Sequence, residues 1–275
     1  MSRGGALRGV WPLLPLLLFL LVLLVYPVGR MLAAGLAGDA GLAAFGELAT
    51  VPLYRDVLAR TFRISLTVTL ACLVLGYPVA YTLATAPRGL AAPLLVLVLV
   101  PFWISLLARS FTWLVLLQRN GVVNRLLLAL GLTTEPLPLV YNELGVYVGM
   151  IHILLPYMIL SLYAGMRGID PTLLRAAANL GATGWQAFRR VYLPLSLPGV
   201  AAGSVLLFVL GLGFFITPAL LGGGKVTLIA VLIEANIREA LNWPLAAALS
   251  VLLLAATVLA LWPAYRLLGF EERPS

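Results

Sequence analysis

Six long apolar stretches constrain the fold of this chain more than any other feature of its sequence. Leu, Val, Ala and Ile dominate these stretches, which cover roughly residues 10–29, 64–86, 91–117, 145–166, 197–220 and 244–268. A helix crosses the hydrocarbon core of a bilayer, about 30 Å thick, in about 20 residues. Because backbone groups in lipid must hydrogen bond within their own segment, each stretch predicts a transmembrane helix. The sequence predicts an all-α integral membrane helix bundle of six helices, with residues 1–275 as a single domain.

Charged residues are too few for a soluble domain. They make up 10% of the chain, against roughly 25% in typical soluble proteins. The net charge of +8 comes from 18 Lys and Arg residues scattered along the sequence, so we expect no nucleic-acid partner. Such residues are typical of positions next to membrane helices in contact with the lipid bilayer. With the N-terminus inside, nine fall on each side, so positive charge alone does not orient the chain.

The first apolar stretch allows two interpretations. It could be a signal peptide, because small residues that suit cleavage follow it in MLAAGLA. The apolar run from Val10 to Val28 is longer than a usual signal core, which favours an uncleaved first helix at about 10–29. Cys72, the lone cysteine, lies in an apolar run and has no partner for an internal disulfide.

The segments between the apolar stretches differ in length and composition. The stretch from Arg30 to Arg63 is predicted to be a long outer loop, and residues 118–144 a short amphipathic helix followed by turns. The GGGK sequence that ends at Lys225 shares two features with a phosphate-binding loop. A Walker loop also requires Gly at position 219 and Ser or Thr at 226, where this chain has Ala and Val, so we expect no nucleotide site here.

Ionisable residues inside apolar stretches are candidates for function, because charge is costly in lipid. Arg109 either extends to the membrane surface or lines a cavity. His152 either hydrogen bonds as a neutral ring across a helix interface or acts in transport. As the only histidine, it also excludes a histidine-rich metal cluster or a His-based triad, which argues against a membrane enzyme. No acidic residue lies deep in a stretch, so an ion-gradient-driven carrier would lack its coupling ligands.

Residues 167–196 interrupt the apolar pattern, and we call them the 167–196 segment. Asp170 and Pro171 predict the start of a short helix, as N-cap and first helical residue. Helical spacing puts three apolar residues on one face: Leu173, Ala177 and Leu180. Gly181 predicts the end of this helix in a left-handed turn.

A second short helix follows in the same segment. Thr183 and Gln186 fit a capping box, and we expect the helix to stop at Pro194 and Pro198. One side carries three aromatic residues: Trp185, Phe188 and Tyr192. The pair of helices could lie on lipid, but alanines bind lipid weakly and permit close approach of a protein surface. Docking of a cytoplasmic partner is therefore the favoured interpretation.

This spacing resembles the signature loop of binding-protein-dependent ABC importer permeases. That signature has EAA, then Gly four residues on, then I-x-LP ten residues later. The matching residues are Ala176, Ala177, Gly181, Val191, Leu193 and Pro194. The resemblance covers nearly the whole chain, and residues 60–84, 101–117 and 217–226 are similar to the polyamine-type branch, which includes spermidine and putrescine permeases.

The resemblance implies a type I ABC importer permease fold in the cell inner membrane, with a cytoplasmic coupling helix in the 167–196 segment and both termini in the cytoplasm. It implies a pore of two homologous permeases, usually a heterodimer, with two cytoplasmic ATPase subunits and a periplasmic solute-binding protein. ATP and Mg would be bound by the ATPase, so we expect no cofactor and no metal in this chain. ATPase closure would move the docked helix and rock the attached membrane helices between inward and outward states.

The resemblance also implies which residues act. The expected contact with the ATPase is formed by Arg175, Ala176, Ala177, Gly181, Ala182, Trp185, Phe188, Arg189, Leu193 and Pro194. We predict a substrate pathway lined by Arg109, His152, Tyr157, Phe214, Phe215 and Thr217. We predict contacts with the binding protein at Glu143, Glu234 and Glu239.

Two positions depart from the family pattern. Arg175 stands where the family usually has a Glu that faces the ATPase groove. Phe214 stands where polyamine permeases often have an acidic residue before F-x-TP. A polyamine is therefore the first expectation for the solute, and an amino-acid-like, opine-like or phosphonate-like solute is the alternative. A secondary transporter driven by an ion gradient is a more remote one.

Overall fold

The computed structural model describes residues 14–36 and 38–267, and every regular element in those two ranges is helical. The α-helices are α1 Leu14–Leu20, α2 Tyr26–Leu36, α3 Gly38–Thr50, α4 Pro52–Thr85, α5 Arg88–Leu99, α6 Leu106–Leu117, α7 Val122–Ala129, α8 Glu143–Arg167, α9 Pro171–Asn179, α10 Gly184–Ala187, α11 Leu193–Leu212, α12 Ile216–Gly222, α13 Ile229–Arg238 and α14 Trp243–Leu267. π-Helical turns at Leu21–Val25 and Phe188–Tyr192 and a 3₁₀ turn at Val100–Trp103 join some of them.

The apolar helices match the predicted membrane bundle. In the part of the chain that the structure describes, five are long and apolar enough to cross a membrane: Pro15–Ala33, Pro52–Thr85, Glu143–Arg167, Gly184–Leu212 and Trp243–Trp262. A sixth crossing results if Gly89–Trp103 and Leu106–Ala129, bent by 94° at their junction, count as one broken span. The prediction of an all-α bundle with six apolar segments is confirmed in this form.

The predicted outer loop between Arg30 and Arg63 is wrong, because nearly all of its described residues are helical. Helix α2 continues to Leu36, α3 follows from Gly38 to Thr50, and α4 begins at Pro52. Ala and Leu, which are strong helix formers, are frequent here, and proline is tolerated at a first helical position. Interspersed glycines and charges hid this helicity from a search for apolar runs.

Two predicted apolar segments are interrupted. In the third, Pro101 lies in the 3₁₀ turn after α5, and the backbone is extended at Ile104 before α6 begins. Proline has no N–H to donate, so a helix breaks or kinks at such a position. The fifth segment ends at Leu212, and a separate helix, α12, begins at Ile216.

The chain divides into two compact units. Met1–Arg55 and Leu232–Ala255 form one, in which the Tyr54 hydroxyl donates a hydrogen bond to Glu47 Oε1 at 2.5 Å. Asp56–Val231 and Ala256–Ser275 form the other, which contains both predicted functional regions discussed below. The assignment of residues 1–275 to a single permease domain stays a prediction.

Helix α8 runs through the core of the second unit. Met150, Met158 and Leu162 on this helix have no exposed surface, and neither do Ile64 on α4 and Leu207 on α11. Thr217 and Leu221 of α12 pack so closely on Gly149 of α8 that a Cβ there would lie 2.6 Å from Thr217 Cγ2. The core therefore fixes α4, α11 and α12 around α8, in close packing that responds poorly to volume changes.

Candidate functional site

Local hydrogen bonds shape the 167–196 segment as predicted. Asp170 Oδ1 accepts a hydrogen bond from the Thr172 backbone N–H at 2.8 Å and so caps α9. Gly181 ends that helix with a φ of +84°, a conformation that residues with a Cβ adopt only with strain. The Gln186 N–H donates to Thr183 Oγ1 at 3.3 Å, and the Thr183 N–H donates to Gln186 Oε1 at 2.9 Å. This capping box starts α10, so the predicted helix–turn–helix is confirmed.

The cap also determines the charge of Asp170. Hydrogen bonding by Thr172, followed by the positive charge of Arg175, lowers the pKa of the Asp170 carboxyl below its ordinary value of 3.8. Asp170 is therefore negatively charged at neutral pH and lies close enough to interact with Arg175. Arg175, which has the opposite charge to the residue usual in the family, thus has an acidic neighbour five residues earlier in its own chain.

Apolar side chains of the segment are unusually exposed. Leu180 is 89% exposed and Trp185 is 68% exposed. Beside Leu180 the two short helices flank an open cavity of about 320 Å³. It is lined by Ala177, Leu180, Gly181, Ala182, Gln186, Ala187, Arg190 and Val191. Exposed apolar groups around a small cavity are typical of a surface that another protein covers.

The predicted ATPase-contact residues fall into two groups. Exposed residues are Arg175, Ala176, Gly181, Trp185, Arg189 and Pro194. Half-buried residues are Ala177, Ala182, Phe188 and Leu193. The exposed group is free to meet a partner, whereas Phe188 is turned towards the membrane helices of its own chain.

Phe188 lies at the centre of an aromatic cluster, which we define as Tyr77, Tyr81, Trp185, Phe188 and Tyr192. Its ring meets Tyr81 edge-on at 5.7 Å and Tyr77 edge-on at 6.1 Å. It stacks on Trp185 at 5.6 Å and on Tyr192 at 6.1 Å. Because Tyr77 and Tyr81 belong to α4, the cluster joins the 167–196 segment to a membrane helix. The sequence gives the aromatic face but not this partner.

A hydrogen bond strengthens the same junction. The hydroxyls of Tyr77 and Ser196 lie 2.8 Å apart, and Ser196 Oγ also donates to the Leu193 carbonyl at 2.8 Å. Because Ser196 Oγ donates its single hydrogen to that carbonyl, the Tyr77 hydroxyl donates to Ser196 Oγ. Helix α4 is thereby tied to the start of α11 by a polar contact as well as by aromatic rings.

The second short helix does not stop where the sequence predicts. Pro194 and Pro198 both lie inside α11, which runs on from the π-helical turn Phe188–Tyr192. In that turn the Leu193 N–H bonds to the Phe188 carbonyl, five residues back. A π-helical turn next to Pro194 accommodates the missing N–H, and proline is tolerated in the first turn of a helix. The segment and the fifth span therefore form one continuous helical run, Gly184–Leu212.

The two helices that flank the segment touch through their backbones. A Cβ on Gly165 of α8 would lie 2.9 Å from the Gly199 Cα of α11. Only a residue without a side chain permits this approach, which is how small residues bring membrane helices together. The contact clamps α8 to α11 just beyond the two ends of the segment.

Polar groups also meet within the membrane helices. The hydroxyls of Ser110 on α6 and Thr217 on α12 share a hydrogen bond of 2.8 Å, and both residues have no exposed surface. The ring of His152 on α8 packs edge-on against Trp113 at 5.5 Å. Arg109, which is 8% exposed, lies on α6 one turn before Trp113. Helices α6, α8 and α12 thus bring three of the predicted pathway residues into one region.

The sequence left two alternatives open for two of these residues, Arg109 and His152. Arg109 is 8% exposed, and its Nε has no hydrogen-bond partner among the described residues, which favours the cavity-lining alternative. His152 Nδ1 likewise has no partner in the described part of the chain, so the predicted hydrogen bond across a helix interface is absent at that atom. Buried polar atoms are rarely left unpaired, which makes both residues candidates for contact with a solute or water.

The other predicted pathway residues are half-buried. Tyr157 meets Phe102 edge-on at 4.8 Å, Phe214 packs on the core around α8, and Phe215 lies just before α12. Sequence reasoning missed Ser110 and Trp113, although their positions beside Arg109 in the third apolar stretch were a usable signal. The pathway itself stays a prediction.

The three acidic residues predicted to meet the binding protein differ in their surroundings. Glu143 Oε1 lies 2.5 Å from Arg63 Nη2, so its charge is already matched within the chain. Glu234 pairs with Arg238 one turn later at 3.3 Å. Glu239 is exposed at the end of the same stretch. Their contact with a binding protein stays a prediction.

Comparison with known proteins fits this arrangement of helices. The family described as binding-protein-dependent transport system inner membrane component matches residues 10–267. The chain belongs to this family. It is therefore a multi-pass inner-membrane permease of an ABC importer, and its relatives are transport permeases and not enzymes.

Curated relatives cover most of the chain. It is 39% identical over 221 residues to the spermidine/putrescine transport system permease protein PotB of Escherichia coli (strain K12), covering 79% of this chain and 80% of that protein. Against PotB of Haemophilus influenzae (strain ATCC 51907 / DSM 11121 / KW20 / Rd) the identity is 36%, covering 78% and 75%. Against the molybdenum transport system permease protein ModB of Mycobacterium bovis (strain ATCC BAA-935 / AF2122/97) it is 30%, covering 78% and 80%.

Solved structures show the same fold at lower identity. The chain matches a bacterial ABC transporter involved in the import of the acidic polysaccharide alginate with a TM-score of 0.73, at 20% identity and 98% coverage of both chains. A structure of the bacterial alginate ABC transporter with its alginate pentasaccharide-bound periplasmic protein gives 0.74, at 20% identity and 97% and 96% coverage. The type I ABC importer permease fold is thereby confirmed.

Proposed function

We propose that this permease imports a polyamine, received from a periplasmic binding protein, through a pore formed with a second, homologous permease. Two cytoplasmic ATPase subunits drive the cycle by docking on the 167–196 segment, which lies in the cytoplasm together with both chain termini. ATP and Mg belong to those subunits, and this chain carries neither. The spermidine/putrescine permeases among its relatives support the choice of solute.

The exposed apolar surface of the 167–196 segment carries the proposal. Leu180 and Trp185 are 89% and 68% exposed where the chain passes from α9 into the continuous helical run Gly184–Leu212. Burying one such side chain in a partner is worth about 1.5–3 kcal/mol, which is enough to anchor a protein interface. An interfacial helix on lipid would instead concentrate apolar area on one side, and the alanines here supply little.

The contacts behind this surface support coupling of docking to transport. The aromatic cluster connects Phe188 to Tyr77 and Tyr81 on α4, and the Gly165–Gly199 contact clamps α8 to α11. Packed groups of this kind move as a body when pushed at one end. When the ATPases close, they would displace the segment, and α4, α8 and α11 would follow together. The pore would then alternate between inward and outward access.

A second solute class is favoured by one observation. The predicted pathway includes the buried cation Arg109 on α6, the helix whose Trp113 packs on His152, and none of its residues is a carboxylate. A polyamine carries positive charges that such a site would repel, and charges interact more strongly where water is excluded. A solute that bears a carboxylate or phosphonate group suits this site better, and this is our alternative proposal.

Reconstitution of the importer tests the function. The two permeases and the ATPase are reconstituted in liposomes with binding protein outside and ATP inside. Uptake of labelled spermidine is measured, with competition by an amino acid, an opine or a phosphonate. We expect uptake that requires all four components and is competed by putrescine. Uptake driven by an ion gradient without the ATPase would refute the proposal. Competition only by an anionic solute would favour the alternative.

Arg175 tests the docking surface. If the ATPase groove is acidic, Arg175→Glu weakens the complex, and co-purification of the ATPase falls. Arg167→Glu serves as a control, because Arg167 has the same charge but ends α8 and precedes the two short helices. Equal co-purification of both variants with the wild type would contradict a charge contact at Arg175.

A further inference from the structure

A second cavity lies at the other end of α8, within the unit Asp56–Val231. It has a volume of about 590 Å³. It is lined by Leu114, Gln118, Arg119, Pro136, Leu137, Pro138, Leu139, Val140, Tyr141 and Lys225. We call it the basic cavity, after Arg119 and Lys225. None of the functional residues predicted from the sequence lines it.

Buried hydrogen bonds fix the wall of the basic cavity. Asn124 of α7 has no exposed surface, and its Oδ1 accepts from the Leu137 N–H at 2.8 Å. Its Nδ2 donates to the carbonyls of Leu137 and Gln118 at 3.0 and 3.2 Å. One buried amide thus holds two sides of the cavity together. The cavity is preformed, so a ligand that enters does not have to order it first.

The turn before α8 is fixed in the same way. The Tyr141 N–H donates to the Leu221 carbonyl at 2.8 Å, and Tyr141 has a φ of +60°. Gly223 lies against it with a φ of +55°, and a Cβ at Gly223 would be 2.9 Å from the Tyr141 Cβ. A left-handed Tyr costs about 1–2 kcal/mol and persists only where the surroundings hold it. Tyr141 is therefore held at a defined place on the rim, and the Lys225 backbone N–H donates to the Gly222 carbonyl at 3.1 Å in the adjoining turn.

No ion pair within residues 14–36 and 38–267 matches the charge of the basic cavity. Arg119 and Lys225 are exposed, and among the described residues neither forms an ion pair. Glu135 is close to the cavity in sequence, but no ion pair joins it to either cation in that same range. Glu143, by contrast, is already paired with Arg63. The cavity thus offers two free cations beside the apolar side chains of its wall.

The position of the basic cavity identifies the side of the membrane it faces. Helix α8 has 25 residues and so spans about 37 Å at about 1.5 Å per residue. The 167–196 segment follows its C-terminal end, and the basic cavity adjoins its N-terminal end. If the segment is cytoplasmic, as the proposed function requires, the cavity opens on the periplasmic side.

We propose that the basic cavity receives a carboxylate-bearing side chain, with an apolar neighbour, from the periplasmic binding protein. This inference rests on the proposed function, which supplies both the partner and the orientation. Charge complementarity identifies the chemistry: the two cations attract the carboxylate, and the leucines and Tyr141 receive the apolar group. Contacts of this type steer association and set its dependence on salt.

Complete importers in lipid nanodiscs test the proposal through ATPase stimulation by solute-loaded binding protein. We expect Arg119→Gln/Lys225→Gln to raise the half-maximal concentration of binding protein by about 2- to 30-fold, given two exposed ion pairs. The dependence on salt should become weaker. Arg119→Lys keeps the charge and should stay within about threefold of the wild type. Arg125→Gln is the matched control, because Arg125 is exposed on α7 and does not line the cavity.

The outcomes separate the inference from the proposed function. If binding protein does not stimulate even the wild-type importer, the proposed function fails. If it stimulates the wild type and the double variant equally, the proposed function stands and the inference is wrong. Thermal stabilisation by phosphatidylglycerol that is lost in the double variant, with unchanged stimulation, would identify a lipid headgroup as the occupant instead. Equal basal ATPase activity shows that the variants fold.

Discussion

Gly181 offers a sharp test of the 167–196 segment, because a side chain added there strains the backbone without contacting any neighbour. Its φ is +84°, and a Cβ built on it meets nothing within 4 Å. Gly184, three residues later, also has open space around its Cβ position but begins α10 without a positive φ. Replacement of either glycine by alanine therefore adds the same methyl group, and only the backbone angle differs.

The expected difference follows from the two backbone angles. A left-handed residue with a Cβ costs about 1–2 kcal/mol, so Gly181→Ala should destabilise the turn by that amount. Alanine within a helix is favoured over glycine by about 0.5–1 kcal/mol, so Gly184→Ala should be neutral or slightly stabilising. If the free segment relaxes and the docked segment cannot, Gly181→Ala weakens ATPase binding by about 5- to 30-fold. Gly181→Val should weaken it further, because a β-branched side chain fits that region less well.

Binding of purified ATPase to permease in nanodiscs measures this effect directly. Fluorescence titration gives the dissociation constant, and size-exclusion chromatography shows that each variant is inserted and intact. Uptake into liposomes should fall in parallel with binding in Gly181→Ala and stay near the wild-type rate in Gly184→Ala.

Two results would contradict the reasoning. Wild-type binding by Gly181→Val would show that the turn does not determine the docked geometry. Equal loss in Gly181→Ala and Gly184→Ala would show that the methyl group itself obstructs the partner, and that backbone strain is not the cause.

Four further changes test other parts of the structure. Phe188→Ala removes ring pairs worth about 0.5–1.5 kcal/mol each, so uptake should fall while the ATPase still co-purifies. The control Phe111→Ala, which removes an exposed ring on α6, should have little effect. Loss of ATPase co-purification with Phe188→Ala would count against a role in coupling. Gly165→Ala forces α8 from α11 and should cost about 1–3 kcal/mol in thermal unfolding, unlike Gly168→Ala, whose nearest atom is 3.7 Å away. Ser110→Ala leaves the Thr217 hydroxyl without its partner and should lower the free energy of unfolding by about 1–3 kcal/mol. Ser110→Ala/Thr217→Val should recover most of that stability, and a double variant no more stable than the single one would refute this. Because Thr172 lowers the Asp170 pKa, the cap is complete above pH 3.8 and is lost only as pH falls through the lowered pKa. Protection of the Thr172 amide, measured relative to its intrinsic exchange rate at each pH, should therefore stay constant near neutral pH, and a step in protection between about pH 5 and 8 would contradict this.

Features that depend on a few neighbouring residues could be predicted from the sequence. The caps at Asp170 and Thr183 and the turn at Gly181 need only the chemistry of the next three residues, and all three are confirmed. The apolar stretches are equally local, because the thickness of the bilayer sets their length. The membrane bundle and the form of the segment therefore followed from short windows of sequence.

Features that depend on contacts across the fold could not be predicted in this way. The spacing of Phe188 gives an aromatic face but does not say that Tyr77 and Tyr81 on α4 cover it. Arg109 looks the same in sequence whether it extends to the surface or is buried by other helices. Pro194 signals the end of a helix, yet a π-helical turn before it allows the helix to continue. In each case tertiary packing overrides a local tendency.

The contact between Gly165 and Gly199 has a consequence for how such permeases can diverge. It fixes the distance between the point where the chain leaves α8 and the point where it joins α11, whatever sequence lies between them. A stretch held together at its two ends in this way behaves as an exchangeable cassette. Exposed residues of α9 between the two glycines can be replaced by those of another permease with little disturbance to the membrane helices, whereas Phe188, Tyr192 and Ser196 must be kept because they contact α4. If the segment docks the ATPase as proposed, the choice of ATPase can evolve at those exposed positions separately from the choice of solute.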